Sequence, residues 1–207
     1  MKPKISIIDY GMGNIFSIKC ALDAQGLDSV FTDNIQDIRR TDGIILPGVG
    51  AFPEAIRRLK KNKIPDVIEE FHKKNKIIIG VCLGMQLLFE KSFEFSENSG
   101  LSLIKGKVIK FEKDFMNVGW RQINLKPDNK PENTLLKNNL NSKHMYFIHS
   151  YHAIPEDKSY VTSTAKFEKE EFVSSINQKN LFAFQFHPEK SGLNSMKIYE
   201  EIKRKLI

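Results

Sequence analysis

The sequence predicts a single α/β domain spanning residues 1–207, with a mostly parallel central sheet that is flanked by helices and continues into antiparallel strands. In the first half, short β-branched segments alternate with segments of helical spacing, an order that favours parallel strands. These strands are apolar at consecutive positions, as expected when helices cover both faces of a sheet. In the second half, strand-like segments follow one another over short connections, which favours antiparallel pairing.

The first half contains four predicted strands and three predicted helical regions. The strands read KISIIDY, DSVFT, GIILPG and KIIIGVC. The first helix, IFSIKCALDAQG, begins after Asn14 as its N-cap and stops at Gly26. Helical spacing continues over residues 53–74 with a break near Pro65, because proline interrupts a helix. The segment LGMQLLFEKS is predicted to form the next helix.

The second half contains six predicted strands and a closing helix. The strands read LIKGKVIKF, WRQINL, MYFIHSY, YVTSTAKF, EFVSSIN and LFAFQF. The connection over residues 177–180 is short and polar, which favours a hairpin. Residues 193–207 carry apolar side chains at helical spacing. No long linker, repeat or low-complexity stretch divides the sequence, so one domain is expected.

The composition narrows the classes of function. The net charge is +7, but acidic and basic residues are interleaved, which indicates a solvated surface rather than a nucleic-acid site. The apolar runs are too short to cross a bilayer, so we expect no membrane partner. Two cysteines do not make a disulfide framework, and a reduced cytoplasmic setting is the default. No zinc-ligand spacing occurs, and we expect neither a metal nor a cofactor.

A cysteine lies where a predicted strand turns into a predicted helix. The segment Gly80-Val81-Cys82-Leu83-Gly84 has the form of a nucleophile elbow, G-x-nucleophile-x-G, with cysteine as the nucleophile. Small neighbours are needed there because the strand and the helix come close together. Cysteine is also a frequent core residue, and the residues alone leave both interpretations open. Cys20 lies inside an amphipathic helix and is assigned to packing.

A thiol nucleophile needs a base and a group that orients the base. Of the five histidines, His187 directly follows an apolar strand in FQFHPEKSG. Glu189 is two residues later, so an extended backbone directs both side chains to the same side. His149 is the next candidate for the base. Exposed strand ends also carry histidine and glutamate, so this motif indicates a catalytic base only in combination with Cys82.

An oxyanion hole is the third requirement of this chemistry. The loop Pro47-Gly48-Val49-Gly50 follows the third strand, and its two glycines allow backbone N–H groups to turn toward a neighbouring site. The N–H of Leu83 is a second candidate donor. An ordinary strand-to-helix turn is the alternative interpretation of the loop.

Five motifs along essentially the whole chain resemble a known family. They are IIDYGMGNIFSI, LPGVGAF, GVCLGMQLLFEKS, YFIHSYH and QFHPEKSG. Together they resemble class I glutamine amidotransferases, whose nucleophile belongs to a triad, and among these the glutaminase subunits of imidazole glycerol phosphate synthases. The resemblance implies a flavodoxin-like class I glutamine amidotransferase fold.

The resemblance also implies roles for individual residues. Cys82 attacks the side-chain amide of L-glutamine to give a glutamyl thioester, His187 acts as general base and then acid, and Glu189 orients His187. The implied oxyanion residues are Val49, Gly50 and Leu83. The implied glutamine-binding residues are Gly48, Gln86, His149, Ser150 and Tyr151. The implied residues of the partner junction and ammonia route are Tyr146, Val118 and Trp120.

The implied partner is a (β/α)8 cyclase subunit, which forms a heterodimer with the glutaminase and uses its ammonia in histidine biosynthesis. One segment departs from the family pattern P-H-aliphatic-G-W-N, since it reads Met116-Asn117-Val118-Gly119-Trp120-Arg121. The pattern Y-G-x-x-F also loses its glycine over residues 166–172. We expect Asn117 and Arg121 to face the partner and to be matched by changes on it.

Three alternatives to this function stay open on the sequence. The first is a paralogous glutaminase that supplies ammonia to a sugar-amidating enzyme of surface-glycan or glycoprotein biosynthesis. The second is a cysteine hydrolase of peptides or small amides with a similar fold, although the HPE pair and the PGVG loop argue against this function. A binding subunit without catalysis is the third, although the intact Cys82, His187 and Glu189 argue against it.

Overall fold

The computed structural model describes residues 3–127 and 134–206. The strands are β1 (Lys4–Ile8), β2 (Asp28–Thr32), β3 (Gly43–Leu46), β4 (Ile77–Val81), β5 (Phe89–Ser92), β6 (Asn98–Ser99), β7 (Ile104–Lys110), β8 (Asn117–Leu125), β9 (His144–His149), β10 (Tyr151–Pro155), β11 (Val161–Phe167), β12 (Glu170–Gln178) and β13 (Leu181–Phe184). The α-helices are α1 (Ile15–Ala24), α2 (Ile35–Arg39), α3 (Phe52–Lys61), α4 (Ile64–Lys73), α5 (Leu83–Leu87) and α6 (Gly192–Leu206).

The main sheet has the strand order β2-β1-β3-β4-β13-β12-β11-β8-β9. The first five strands of this order pair in parallel. The remaining pairs are antiparallel, beginning with β13 and β12. The predicted fold class is therefore confirmed: a parallel half continues into an antiparallel half within one sheet.

Apolar residues lie on both faces of the parallel half. Along β4, Ile77 and Ile79 belong to one hydrophobic core, whereas Ile78 belongs to another. The first core includes residues of α1 and α6, and the second includes residues of α3 and α4. Successive side chains of a strand point to opposite faces, so consecutive apolar residues fill both cores.

Two sequence-based predictions about the region after Cys82 are wrong. The helix predicted over residues 83–92 ends at Leu87, and Phe89–Ser92 is a strand. The chain leaves the helix because Phe89 pairs in parallel with Ile104 of β7, a tertiary contact that overrides the local periodicity. Strand β7 does not extend the main sheet either, since it joins a second sheet in the order β10-β7-β5-β6.

The predicted strand MYFIHSY is also divided between the two sheets. Strand β9 ends at His149 in the main sheet, and β10 begins at Tyr151 in the second sheet. The chain crosses at Ser150, which brings the crossing segment beside the end of β4. The predicted hairpin over 177–180 is confirmed by the pairing of Gln178 with Leu181.

Apart from the helix after Cys82, the predicted helix ends are close to the observed ones. Asn14 occupies the N-cap position of α1, but its side chain accepts from the Ser17 hydroxyl over 2.9 Å rather than from a backbone N–H. The closing helix α6 runs to Leu206, and its predicted end at Ile207 lies outside the described residues.

Candidate active site

Cys82 lies at the turn from β4 into α5, with φ 55° and ψ −110°. A non-glycine residue in this region is strained, and such strain concentrates at functional sites. A Cβ on Gly84 would overlap the backbone of Leu46, and one on Gly80 would lie 2.9 Å from the carbonyl oxygen of Gly84. The flanking glycines are therefore required by the close approach of strand and helix, as the elbow motif predicts.

His187 follows β13, the neighbour of β4 in the sheet. Val81 and Phe184 are paired in parallel, and the N–H of Cys82 donates to the carbonyl of Phe184 over 2.7 Å. Both strands therefore deliver their following residues to the same edge, where ligands bind in open α/β sheets. His187 Nδ1 lies 2.7 Å from Glu189 Oε1, and the side chains of both residues are almost completely buried.

Cys82 and Glu189 both raise the pKa of His187. Burial alone would lower that pKa, but the neighbouring Cys82 side chain and the hydrogen bond and charge of Glu189 outweigh burial and raise it to about 10. His187 Nε2 is buried and has no hydrogen bond of good geometry within the described residues. Nδ1 of the ring is therefore hydrogen-bonded to Glu189, and Nε2 is available to exchange a proton with a reacting group.

A cavity of about 540 Å³ opens beside Cys82, a size suited to a small ligand. The predicted site residues that line it are Val49, Gly50, Cys82, Leu83, Gln86, His149, Ser150 and Tyr151. Gly48 is not among the lining residues, since it lies behind the cavity against Leu83 and the Tyr10 hydroxyl. The oxyanion and glutamine-binding roles stay predictions.

Sequence reasoning missed four polar residues at or beside this cavity. Glu94, Lys110 and Asp114 line it, and Glu94 Oε2 accepts from the N–H of Phe52 over 2.8 Å. Gln185 is fully buried, and its Nε2 lies 3.9 Å from Cys82 Sγ. A signal for Gln185 was present, because it is the one polar residue of the segment LFAFQF. Glu94 follows a segment predicted as helix, so no sequence signal placed it near Cys82.

The PGVG loop is held by a residue of the first motif. The buried Tyr10 hydroxyl donates to the carbonyl of Pro47 over 2.8 Å. This bond links the DYG segment after β1 to the loop after β3, and these two strands are neighbours. The two motifs are thus parts of one structure at the same edge of the sheet.

Strands β8 and β9 carry an exposed apolar patch on their outer face. Val118 is paired with Ile148, and Trp120 with Tyr146. Val118 and Trp120 are each about half exposed, at 47% and 49%. The rings of Trp120 and Tyr146 meet edge to face at 6.0 Å. An exposed patch of this kind indicates an interaction surface.

The expectation that Asn117 faces a partner is wrong. Asn117 is fully buried, and its Nδ2 lies 3.1 Å from His149 Nε2. Alternate residues of a strand point to opposite faces, so an outward Val118 requires an inward Asn117. The guanidinium of Arg121 donates to the carbonyls of Trp120 and Val118, and it also stacks over a phenylalanine ring.

The sequence matches known proteins over nearly its full length. Residues 6–201 match the family described as glutamine amidotransferase class-I. The chain is 42% identical over 202 residues to "Imidazole glycerol phosphate synthase subunit HisH" of Aquifex aeolicus, covering 96% of this chain and 95% of that protein. It is 39% identical to the protein of the same name from Pyrococcus furiosus, covering 97% and 98% of the two chains.

The fold also matches solved structures. A chain of "Structure of PurLQS from Thermotoga maritima" superposes with a TM-score of 0.78 at 20% identity, covering 100% of both chains. A structure described as "Crystal structure of glutamine amidotransferase" superposes with a TM-score of 0.74 at 16% identity, covering 98% of this chain and 97% of the other. At these identities the likeness concerns the fold alone.

Among residues 3–127 and 134–206, no helix is both long and apolar enough to cross a bilayer. No group of three or more histidine, cysteine or acidic side chains among them is arranged to hold a metal ion.

Proposed function

We propose how this site works from the premise that the chain belongs to the glutamine amidotransferase class I family and is a glutaminase of the imidazole glycerol phosphate synthase type. In this proposal Cys82 is the nucleophile, His187 the acid and base, and Glu189 the group that orients His187. The observation that supports it best is the buried His187–Glu189 pair beside a strained cysteine at one edge of the sheet.

The reaction proceeds in two halves. The Cys82 thiolate attacks the side-chain amide carbon of glutamine, and the carbonyl oxygen becomes an oxyanion near the backbone of Val49, Gly50 and Leu83. His187 donates its proton to the departing nitrogen, which leaves as ammonia and yields a glutamyl thioester. A water then gives its proton to His187 and attacks the thioester, releasing glutamate and the thiolate.

Glu94 and Gln86 are placed to orient glutamine in the cavity. The carboxylate of Glu94 suits the α-ammonium group of the substrate, because Glu94 is half-buried in the lining, whereas the other acid there, Asp114, is exposed and paired with Lys110. Gln86 is held by two bonds, to the carbonyl of Tyr151 over 2.8 Å and to Gln185 over 3.0 Å. Its fixed side chain shapes the wall beside Ser150 and Tyr151.

Replacing Glu94 with glutamine should raise the KM for L-glutamine and leave kcat nearly unchanged. The amide oxygen still accepts from the Phe52 N–H, so the variant isolates the loss of charge. A hydrogen bond to a charged group contributes about 1.5–3 kcal/mol, which predicts a rise of roughly 10–100-fold. The matched control is Glu97→Gln, an exposed acid in the same loop, which should behave as wild type. An unchanged KM in Glu94→Gln would exclude the role.

The partner in this proposal is a (β/α)8 cyclase subunit that docks on the patch of Val118, Trp120, Tyr146 and Ile148. Ammonia is mostly protonated near neutral pH and is then no nucleophile, so a closed route to the second active site explains why the two activities occur in one complex. The curated relatives carry the name of a synthase subunit, and they do not favour the sugar-amidating alternative. A free nucleophilic thiol is compatible with a reducing compartment, and the cytoplasm is the location that we propose for the protein.

Purification of the native complex tests the partner directly. We expect a (β/α)8 protein to co-purify with this chain, and the complex with its acceptor to hydrolyse glutamine at least about tenfold faster than the isolated chain. The reason is that Val49 is β-branched, so its peptide resists an unusual orientation until docking and ligand shift the population. Full glutaminase activity of the lone chain, or co-purification of an unrelated enzyme, would contradict this assignment.

A further inference from the structure

Buried polar groups connect strand β8 to the cavity wall. Asn117 begins β8, and its side-chain amide lies 3.1 Å from His149 Nε2. His149 Nδ1 lies 2.9 Å from the carbonyl oxygen of Tyr151. Gln86 reaches the same carbonyl over 2.8 Å. Two side chains from different elements therefore converge on one backbone group of the segment that crosses between the sheets.

The partners of His149 permit only one protonation state. A backbone carbonyl can only accept, so Nδ1 must carry a hydrogen to bond Tyr151. Burial lowers the pKa of His149 to about 3, although the bond to Tyr151 opposes this. The ring is then neutral near pH 7, and Nε2 must be an acceptor. Asn117 consequently presents its NH₂ group to the ring, not its oxygen.

The surroundings of His149 make this donor hard to replace. Asn117 is fully buried, and His149 is 6% exposed. Aromatic rings pack around the imidazole, namely those of Phe111, Phe147 and Phe172. A buried ring nitrogen without a donor is unfavourable, and the ring would turn to find one. Turning the ring would release the Tyr151 carbonyl.

We propose that Asn117 is a positioning residue for glutamine hydrolysis, which fixes the tautomer and orientation of His149 and thereby the Ser150–Tyr151 backbone in the cavity. The inference rests on the proposed function, because that segment is taken to hold glutamine. The family pattern has histidine at this position, and a neutral histidine also offers an N–H. Asparagine supplies the same donor but does not titrate, so its hydrogen bond to His149 should persist when the pH falls.

Kinetics of the complex with its co-purified partner test the role. Asn117→Leu keeps the branched shape of the side chain, at a somewhat larger volume, but removes the donor. Its KM for glutamine should rise about tenfold, as for the loss of one buried hydrogen bond, with kcat within about threefold. Asn117→His should stay within about threefold of wild type at pH 8. The matched control Asn124→Leu makes the same change at an exposed position of β8 and should leave both constants unchanged.

Nitrogen-15 spectroscopy of histidine-labelled protein gives a readout that mere destabilisation would not produce. In the wild type, His149 should carry its hydrogen on Nδ1 and leave Nε2 unprotonated. In Asn117→Asp, a near-isosteric acceptor replaces the donor, so both ring nitrogens should be protonated and the KM should rise. This variant keeps the test decisive if Asn117→Leu fails to fold.

The outcomes separate this inference from the proposed function. A wild-type complex that hydrolyses no glutamine would contradict the proposed function and the inference with it. An active wild type whose KM is unchanged in both Asn117→Leu and Asn117→Asp would overturn the inference alone. A hydrogen on Nε2 of His149 in the wild type would also overturn it.

Discussion

Replacing Cys82 with alanine should abolish glutamine hydrolysis while leaving ammonia-dependent synthesis by the partner intact. In the proposed mechanism the thiolate forms the covalent intermediate, and no other described residue at the elbow carries a nucleophilic side chain. Losing a nucleophile of this kind costs about 10⁴–10⁶-fold in kcat. The partner's chemistry needs only ammonia, so a supply of ammonium salt at high pH should restore its product.

The chain offers a matched control for that experiment. Cys20, assigned to packing from the sequence, is instead exposed on α1, and Cys20→Ala should retain full activity. Alkylation of the wild type should inactivate glutamine hydrolysis at the rate at which Cys82 is modified, and bound glutamine should slow it. Substantial glutamine turnover by Cys82→Ala would show that the nucleophile lies elsewhere.

Replacing His187 with alanine should lower kcat by about 10²–10⁴-fold, because both proton transfers pass through this ring. Glu189→Gln should do less damage, since an amide still accepts a hydrogen bond from Nδ1. It removes a charge that raises the pKa of His187, so that pKa falls. The alkaline limb of the kcat/KM profile should therefore move to lower pH in Glu189→Gln.

A histidine away from the cavity provides the control for this series. His72 lies in the last turn of α4, and His72→Ala should keep the wild-type rate and pH profile. A His187→Ala protein with the wild-type rate would shift the role of base to another histidine. An alkaline limb that moves to higher pH in Glu189→Gln would contradict the charge argument.

The three residues proposed as the catalytic triad could be selected from the sequence because each one is marked by its immediate neighbours. Glycines on both sides of Cys82 indicate a close strand-to-helix turn, and the structure shows the steric reason. His187 and Glu189 follow an apolar strand with the spacing of an extended backbone. The parallel order of strands then places both groups at one edge of the sheet, although the sequence alone does not specify that β4 and β13 are neighbours.

The errors arose where tertiary contacts decide the outcome. Phe89 continues a helical pattern but pairs with Ile104, which is distant in the sequence. Strand β7 has the same alternation as a strand of the main sheet, so the pattern cannot tell which sheet it joins. Asn117 was a different error, because alternation along β8 already placed it opposite Val118 and Trp120. Glu94 reaches the cavity only through the irregular chain after β5.

The position of β13 between β4 and β12 has a consequence for biosynthesis of the protein. A chain emerging from the ribosome presents the elbow cysteine long before the strand that carries its base. Until β13 inserts, β4 has an open edge in the middle of the future sheet, the backbone N–H of Cys82 lacks the carbonyl of Phe184, and the thiol lacks its proposed base. If the proposed roles hold, chains truncated before β13 should therefore be inert as glutaminases, and ammonia release should begin only when the sheet is closed from the C-terminal side.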